Sequence, residues 1–170
     1  GGGFSRLLAE LEASGFITSL QPLENKKKNK LFRLTDEFTL FYLAFMKGKH
    51  SADQSHWTRM SQTQEYKIWC GYAFENLCAK HVSEIKTALE INGVQSEINS
   101  FLHRKNDKYH KGFQIDLLID RRDNVLSLCE MKFYSDEYRI TTEYAKKIHT
   151  KREGLKALSS PRKHVEVVFI

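Results

Sequence analysis

Residues 113–134, Phe-Gln-Ile-Asp-Leu-Leu-Ile-Asp-Arg-Arg-Asp-Asn-Val-Leu-Ser-Leu-Cys-Glu-Met-Lys-Phe-Tyr, decide the fold of this chain. Two apolar runs, 113–120 and 125–134, flank a short polar turn, which predicts a β-hairpin. Three ionised residues lie inside these strands: Asp116 in the first, and Glu130 and Lys132 in the second. Charges in such positions are costly to bury unless they are paired or bind a metal. The hairpin therefore contains a candidate site.

The length of the turn decides whether these side chains meet, because residues facing each other across an antiparallel pair lie on one side of the sheet. A two- or four-residue loop would place Asp116 opposite Cys129 and separate the carboxylates. A three-residue loop over 122–124 places Asp116 opposite Glu130, and its last residue, an asparagine, tolerates the left-handed conformation that such loops need. We therefore predict one cluster of Asp116, Glu130 and Lys132. The alternative is a buried structural ion pair.

An Asp followed by Glu-x-Lys on the next strand resembles the PD-(D/E)xK nuclease superfamily, whose members share a restriction-endonuclease-like core. Glu-x-Lys alone is unspecific, since 24–26 and 65–67 also match it. Only the copy at Glu130 lies inside an apolar strand beside a strand that carries Asp116. The proline of the family motif is absent, since Ile115 precedes the Asp.

These residue types suit phosphodiester hydrolysis, which needs charge stabilisation at phosphorus and an activated water. Asp116 and Glu130 would hold Mg²⁺ (or Mn²⁺), which binds oxygen ligands, commonly one or two carboxylates with waters and substrate phosphate. Lys132 would orient or deprotonate the attacking water. We therefore expect metal-dependent cleavage of DNA.

Composition limits the other possibilities. The 170 residues can bury a real core, and the three cysteines have no Cys-x-x-Cys spacing, which predicts reduced thiols in a cytoplasmic protein. The longest strongly apolar stretch, 38–46, is too short to span a bilayer.

The net charge of +6 is concentrated in basic runs that suit a phosphate backbone, although a solvated lysine-rich face would look the same. The residues predicted to contact DNA are Lys26, Lys27, Lys28 and Lys30 in one run and Lys146, Lys147, Lys151 and Arg152 in another.

The N-terminal part has the pattern of half a winged helix. Residues 4–14 predict an amphipathic helix, and 16–20 and 30–34 predict two strands with a lysine-rich tip between them. An apolar helix over 38–46 is expected to be buried between two units. We therefore assign 1–46 to a partial winged helix with its connecting helix, and 47–63 to a linker. The alternative is a helix and hairpin that cap the next domain.

Residues 64–170 follow the order helix, three antiparallel strands, helix, strand. We expect an interruption of the first helix at Gly71, a further helix capped by Ser83, and a helix over 141–158 before a final strand. This order predicts an α/β fold with a mixed sheet flanked by helices, as in the PD-(D/E)xK core. That core usually continues with another helix and strand, so we expect a domain truncated at its C-terminal end.

Several separated blocks are similar to the C-terminal region of the prokaryotic archaeal-type ATPase family, in which a P-loop ATPase module precedes a winged helix and a PD-(D/E)xK-like domain. The blocks are 15–17, 34–42, 69–75, 114–117 and 129–133. The resemblance implies that Glu75 is a third metal ligand, although a helix first-turn acid would also account for it. It also implies an ATPase module in a longer parent. ATP is expected only there, because these residues contain no P-loop motif. The alternative function is a catalytically inactive nucleic-acid-binding or regulatory domain.

Overall fold

The computed structural model describes residues 2–20, 31–48, 53, 55–103 and 112–170. The N-terminal unit begins with helix α1 (Gly2–Ala13), which ends before Gly15, a residue in the left-handed region at φ 76°. Strands β1 (Ile17–Leu20) and β2 (Leu31–Leu34) pair antiparallel. The predicted helix and hairpin are therefore present.

Helix α2 (Glu37–Phe41) continues into one π-helical turn (Tyr42–Met46). Asp36 caps α2 by accepting a hydrogen bond of 2.7 Å from the Thr39 amide. The prediction that the helix over 38–46 is buried is wrong: among these residues only Phe45 is fully buried, and Phe38 remains 68% exposed. Residues four apart share a helix face, so only one of its apolar faces packs against the rest of the protein.

The segment predicted to be a linker contains helix α3 (His56–Met60). An aromatic cluster joins it to the elements on either side, with ring centroids 5.3 to 5.8 Å apart. The cluster consists of Phe41, Phe45, Trp57, Tyr66 and Trp69.

Helix α4 (Gln64–Lys80) runs without interruption, so the predicted break at Gly71 is wrong. Thr63 caps it by accepting a hydrogen bond from the Tyr66 amide. Helix α5 (Val82–Ala88) begins after His81. Ser83 lies inside α5 and donates to Glu84, so the predicted cap is also wrong.

A four-stranded sheet forms the rest of the fold, in the order β3-β4-β5-β6. Its strands are β3 (Ser96–His103), β4 (Phe113–Arg121), β5 (Val125–Glu130) and β6 (His164–Phe169). The first three are antiparallel, and helix α6 (Thr142–Leu158) connects β5 to its parallel neighbour β6. The predicted α/β class, with a mixed sheet flanked by helices, is confirmed.

Each face of the sheet has its own apolar core. On one face, Ile115, Leu118 and Leu128 pack with Leu155 of α6. On the other, Leu117 and Cys129 pack with Cys78 of α4 and with the apolar side chains of α5. We call these the α6 face and the α4 face.

Strand β4 contains a β-bulge that moves side chains between these faces. Asn99 pairs with Leu118, but Phe101, two residues further along β3, pairs with Ile115, three residues back along β4. One extra residue is therefore inserted at 116–117, which breaks the alternation of side chains. Ile115 and Leu118 consequently share the α6 face, whereas Leu117 lies on the α4 face.

Candidate active site

The hairpin register predicted from the turn is confirmed. Residues 122–124 form the loop between β4 and β5, and Asn124 is left-handed, with φ 68°. Leu117 pairs with Cys129 at the end of the ladder. Asp116 and Glu130 are therefore the next positions in register, as the three-residue loop requires.

The two carboxylates nevertheless have different hydrogen-bond partners. The bulge turns Asp116 towards the α4 face, where Arg33 links it to Glu75 of α4. Glu130 instead contacts Tyr144 and Lys151 of α6. Asp116 and Glu130 thus have different direct partners, because regular alternation does not continue through a bulge. The charge of Asp116 nevertheless also raises the pKa of the Tyr144 hydroxyl, which donates to Glu130. The prediction that the two acids form one cluster stays a prediction.

Arg33, from strand β2, lies between the two acids of the α4 face. Its Nη2 is 3.2 Å from Glu75 Oε2 and 3.3 Å from Asp116 Oδ1. All three side chains are partly shielded, with exposed fractions of 19% for Arg33, 21% for Glu75 and 25% for Asp116. Two carboxylates from separate elements therefore converge on one cationic group.

The electrostatics of Glu75 show how close the charged groups lie. Burial raises the pKa of the Glu75 carboxyl above its ordinary value, and the neighbouring charge of Asp116 raises it further. The positive charges of Arg33 and Lys132 oppose this rise, while Glu130 adds to it. The predicted site residues therefore share one electrostatic neighbourhood, and two of them, Glu75 and Asp116, also share a contact with Arg33.

Glu130 has a different set of partners from those predicted. It is buried, and its two oxygens accept hydrogen bonds from Lys151 Nζ and, at 2.8 Å, from the Tyr144 hydroxyl. Burial and the bond to Glu130 raise the pKa of the Tyr144 hydroxyl. Lys132 is exposed, with its Nζ 4.9 Å from the centroid of the Tyr144 ring. The ion pair of Glu130 is thus with Lys151 and not with Lys132.

The donor set can be tested for its fit to a divalent cation. Within 2–20, 31–48, 53, 55–103 and 112–170, no three His, Cys, Asp or Glu side chains lie close enough together to hold one metal ion. Mg²⁺, however, commonly binds through one or two carboxylates and several waters. Glu75 and Asp116 already bring two carboxylate oxygens to a single positive group. These two residues fit such an ion, whereas Glu130 is directed elsewhere.

The predicted DNA-binding residues on α6 fall into two groups, exposed residues and residues with partners inside the protein. The run Lys26–Lys30 lies outside the described residues. Lys146 and Lys147 are exposed, and Lys147 pairs with Glu143 at 2.8 Å. Lys151 instead holds Glu130, and Arg152 donates to the Val165 carbonyl at 3.1 Å. The basic stripe on α6 is therefore half exposed and half engaged in internal contacts.

Sequence reasoning missed Arg33 and Tyr144. Arg33 is an ionised residue in the apolar run Leu-Phe-Arg-Leu, the same signal that pointed to Asp116. Tyr144 and Lys151 are seven residues apart on α6, a spacing of two helical turns that places them on one face. Both patterns are visible in the sequence, but neither identifies the residue that the side chain contacts.

Comparisons with protein-family models, with curated proteins and with solved structures returned no match. Among the helices in the described part of the chain, none has the length and apolar character needed to cross a membrane.

Proposed function

We propose that this chain is a metal-dependent nuclease domain of the restriction-endonuclease-like type, which hydrolyses phosphodiester bonds in DNA and belongs to a larger P-loop ATPase. One observation carries the proposal: Glu75 of α4 and Asp116 of β4 direct their carboxylates at one cationic position, and the charge of Lys132 also acts on Glu75. The element order, with three antiparallel strands and a parallel crossover, is compatible with this assignment.

In this proposal Glu75 and Asp116 hold a divalent cation. When bound, Mg²⁺ or Mn²⁺ stabilises charge on the phosphate and supplies an activated water. Lys132, an exposed residue whose positive charge acts on Glu75, orients that water. Glu130 holds Tyr144 and Lys151 in place, and it joins the ligand set only if its carboxylate turns away from Lys151.

The test is cleavage of supercoiled plasmid and of labelled single-stranded DNA with Mg²⁺, with Mn²⁺ and with EDTA. Asp116→Asn should abolish cleavage while leaving the fold intact. Asp123→Asn is the matched control, because Asp123 lies in the exposed turn of the same hairpin and forms its ion pair with Arg121, away from Glu75 and Asp116. Cleavage that persists in EDTA, or equally in Asp116→Asn, would contradict the proposal.

A second candidate is a catalytically inactive nucleic-acid-binding or regulatory domain of the same ATPase. It is favoured by the internal cations: Arg33 neutralises Glu75 and Asp116, and Lys151 neutralises Glu130. Such a domain would bind DNA without cleaving it, with affinity that falls as salt rises. Replacing exposed Lys146 and Lys147 by Ala should flatten that salt dependence.

A further inference from the structure

Arg33 reaches the candidate site from a different part of the chain. It lies on β2 of the N-terminal hairpin, whereas its partners lie on α4 and β4, 42 and 83 residues away in sequence. Only Nη2 contacts the two acids. Nη1 is buried, and no group in the described ranges accepts a hydrogen bond from it. The guanidinium is therefore held by its charge, with part of its donor capacity unused.

We propose that Arg33 is an internal inhibitor of cation binding: the β1–β2 hairpin holds its guanidinium where a divalent metal would bind, and the site admits metal only when Arg33 withdraws. This inference rests on the proposed function. It adds that the N-terminal unit regulates the site.

Arg33 and a metal compete because they need the same two oxygens. Mg²⁺ demands nearly octahedral geometry with ligands at about 2.0–2.1 Å, and it usually keeps several waters. A guanidinium nitrogen in contact with both Glu75 Oε2 and Asp116 Oδ1 occupies the space between these atoms. Two positive groups on one pair of oxygens also repel each other strongly at a shielded position. One cation therefore excludes the other.

The surroundings of the hairpin allow Arg33 to leave. A cavity of about 470 Å³ lies between the hairpin and the sheet, with Arg33, Asp116, Thr18 and Asn99 in its lining. It gives the long side chain open space next to the site, lined in part by polar groups such as Thr18 and Asn99. The unpartnered Nη1 also makes the present position less favourable than a fully bonded one. Withdrawal therefore needs no unfolding of the sheet.

Besides the contact of Arg33 with Glu75, two polar contacts in the described part of the chain link the hairpin and α2 to α4. Asn76 donates to the Leu34 carbonyl at 3.2 Å, and Lys80 pairs with Glu37 at 2.7 Å. The pair with Glu37 is 42% and 38% exposed, so it is easily replaced by water. Loosening this contact should favour withdrawal of Arg33 without any change to the acids.

The experiment measures Mn²⁺ affinity by calorimetry on the full chain, with folding of each variant checked by circular dichroism in EDTA. Arg33→Gln should bind Mn²⁺ about tenfold or more tightly than the wild type, because one positive charge beside the ion is removed. Arg33→Lys keeps the charge and should stay close to the wild type. Arg6→Gln is the matched control, since Arg6 pairs with Glu10 on the exposed side of α1.

A second variant covers the case in which Arg33→Gln does not fold. Glu37→Gln removes the contact with Lys80 and leaves the site untouched, and it should also raise Mn²⁺ affinity, by about threefold or more. Adding Asp116→Asn to the tight-binding variant should abolish the gain.

The outcomes separate this inference from the proposed function. Equal Mn²⁺ affinity in wild type, Arg33→Gln and Glu37→Gln, lost in Asp116→Asn, would overturn the inhibitory role of Arg33 and leave the nuclease proposal standing. No Mn²⁺ binding by any of these proteins would overturn both. Tighter binding by Arg33→Gln without DNA cleavage would support the inhibitor and favour the inactive domain.

Discussion

Asp116 and Glu130 occupy neighbouring positions across one hairpin, yet their side chains meet different surroundings. On the α4 face, Asp116 shares a single arginine with Glu75, and about a fifth to a quarter of each acid is exposed. On the α6 face, Glu130 is only 8% exposed and has two partners of its own, Lys151 and Tyr144.

This difference suggests two roles for carboxylates in one motif. A buried carboxylate whose two oxygens both accept hydrogen bonds is held in one conformation, and its partners cannot leave without a large cost. Two partly exposed carboxylates that share one cation can exchange it for another. The α4 face therefore suits ligand exchange, and the α6 face suits support of the fold.

The largest expected effect on stability comes from replacing Lys151, and replacing Arg33 provides the comparison. Lys151→Met should lower the free energy of unfolding by about 3–5 kcal/mol, because it leaves Glu130 buried without a counter-charge. Arg33→Met should cost only about 1–2 kcal/mol, because Glu75 and Asp116 can take up water. Urea unfolding in EDTA measures both.

Two further variants sharpen this comparison. Lys147→Met removes an exposed pair on the same helix and should change stability by less than about 0.5 kcal/mol. Glu130→Gln combined with Lys151→Met should recover much of the loss, because the unpaired charge is gone. If Arg33→Met proves more costly than Lys151→Met, the roles assigned to the two faces are reversed.

A pair of glycines compares how tightly the two helices pack. A Cβ at Gly154 of α6 would lie 2.5 Å from Cε1 of Phe113, whose ring stacks on Phe101, whereas nothing lies within 4 Å of a Cβ at Gly71 of α4. Gly154→Ala should therefore destabilise the protein by about 1–2 kcal/mol, the overpacking cost exceeding the gain in helix propensity. Gly71→Ala should stabilise it by about 0.5–1 kcal/mol. Thermal melts of both variants measure these changes in stability. A stabilising effect of Gly154→Ala would show that α6 packs loosely.

The smallest expected effect concerns the reactivity of the cysteines and involves no change in stability. Cys129 is 2% exposed between β5 and α4, and burial raises the pKa of its thiol to about 12, so very little thiolate forms near pH 8. Cys78, facing it, is also buried, whereas Cys70 is partly exposed. A thiol reagent should therefore modify Cys70 first in the native protein, and Cys70→Ser should remove the fast phase. A fast phase that survives in Cys70→Ser would indicate opening of the α4 face.

The hairpin could be predicted from the sequence because strand parity and one asparagine determine its register. The direction of Asp116 could not, since it depends on a bulge set by pairing with β3, where Asn99 and Phe101 show no local signal. The partners of Arg33 could not be predicted for a different reason. Its contact with Asp116 joins residues 83 positions apart, and only packing of the hairpin against α4 brings them together.

The aromatic segment after β2 illustrates the same limit. An apolar run predicts burial, but the sequence does not show how much of the run other elements cover in the folded protein. Phe41 and Phe45 pack against Trp57 and Trp69. Phe38, on another side of the helix, stacks on Tyr42 of the same segment and remains 68% exposed.

Asn76 has a consequence for the cooperativity of the whole chain. A ribbon of two four-residue strands is at best marginally stable in water, so the N-terminal hairpin depends on what it packs against. Asn76, only 3% exposed, donates a hydrogen bond from its side-chain amide to the carbonyl of Leu34, the last residue of that hairpin. This bond exists only while α4 is folded. Hairpin and sheet are therefore expected to melt as one thermodynamic unit. A domain boundary drawn at 47–63 would cut through that unit.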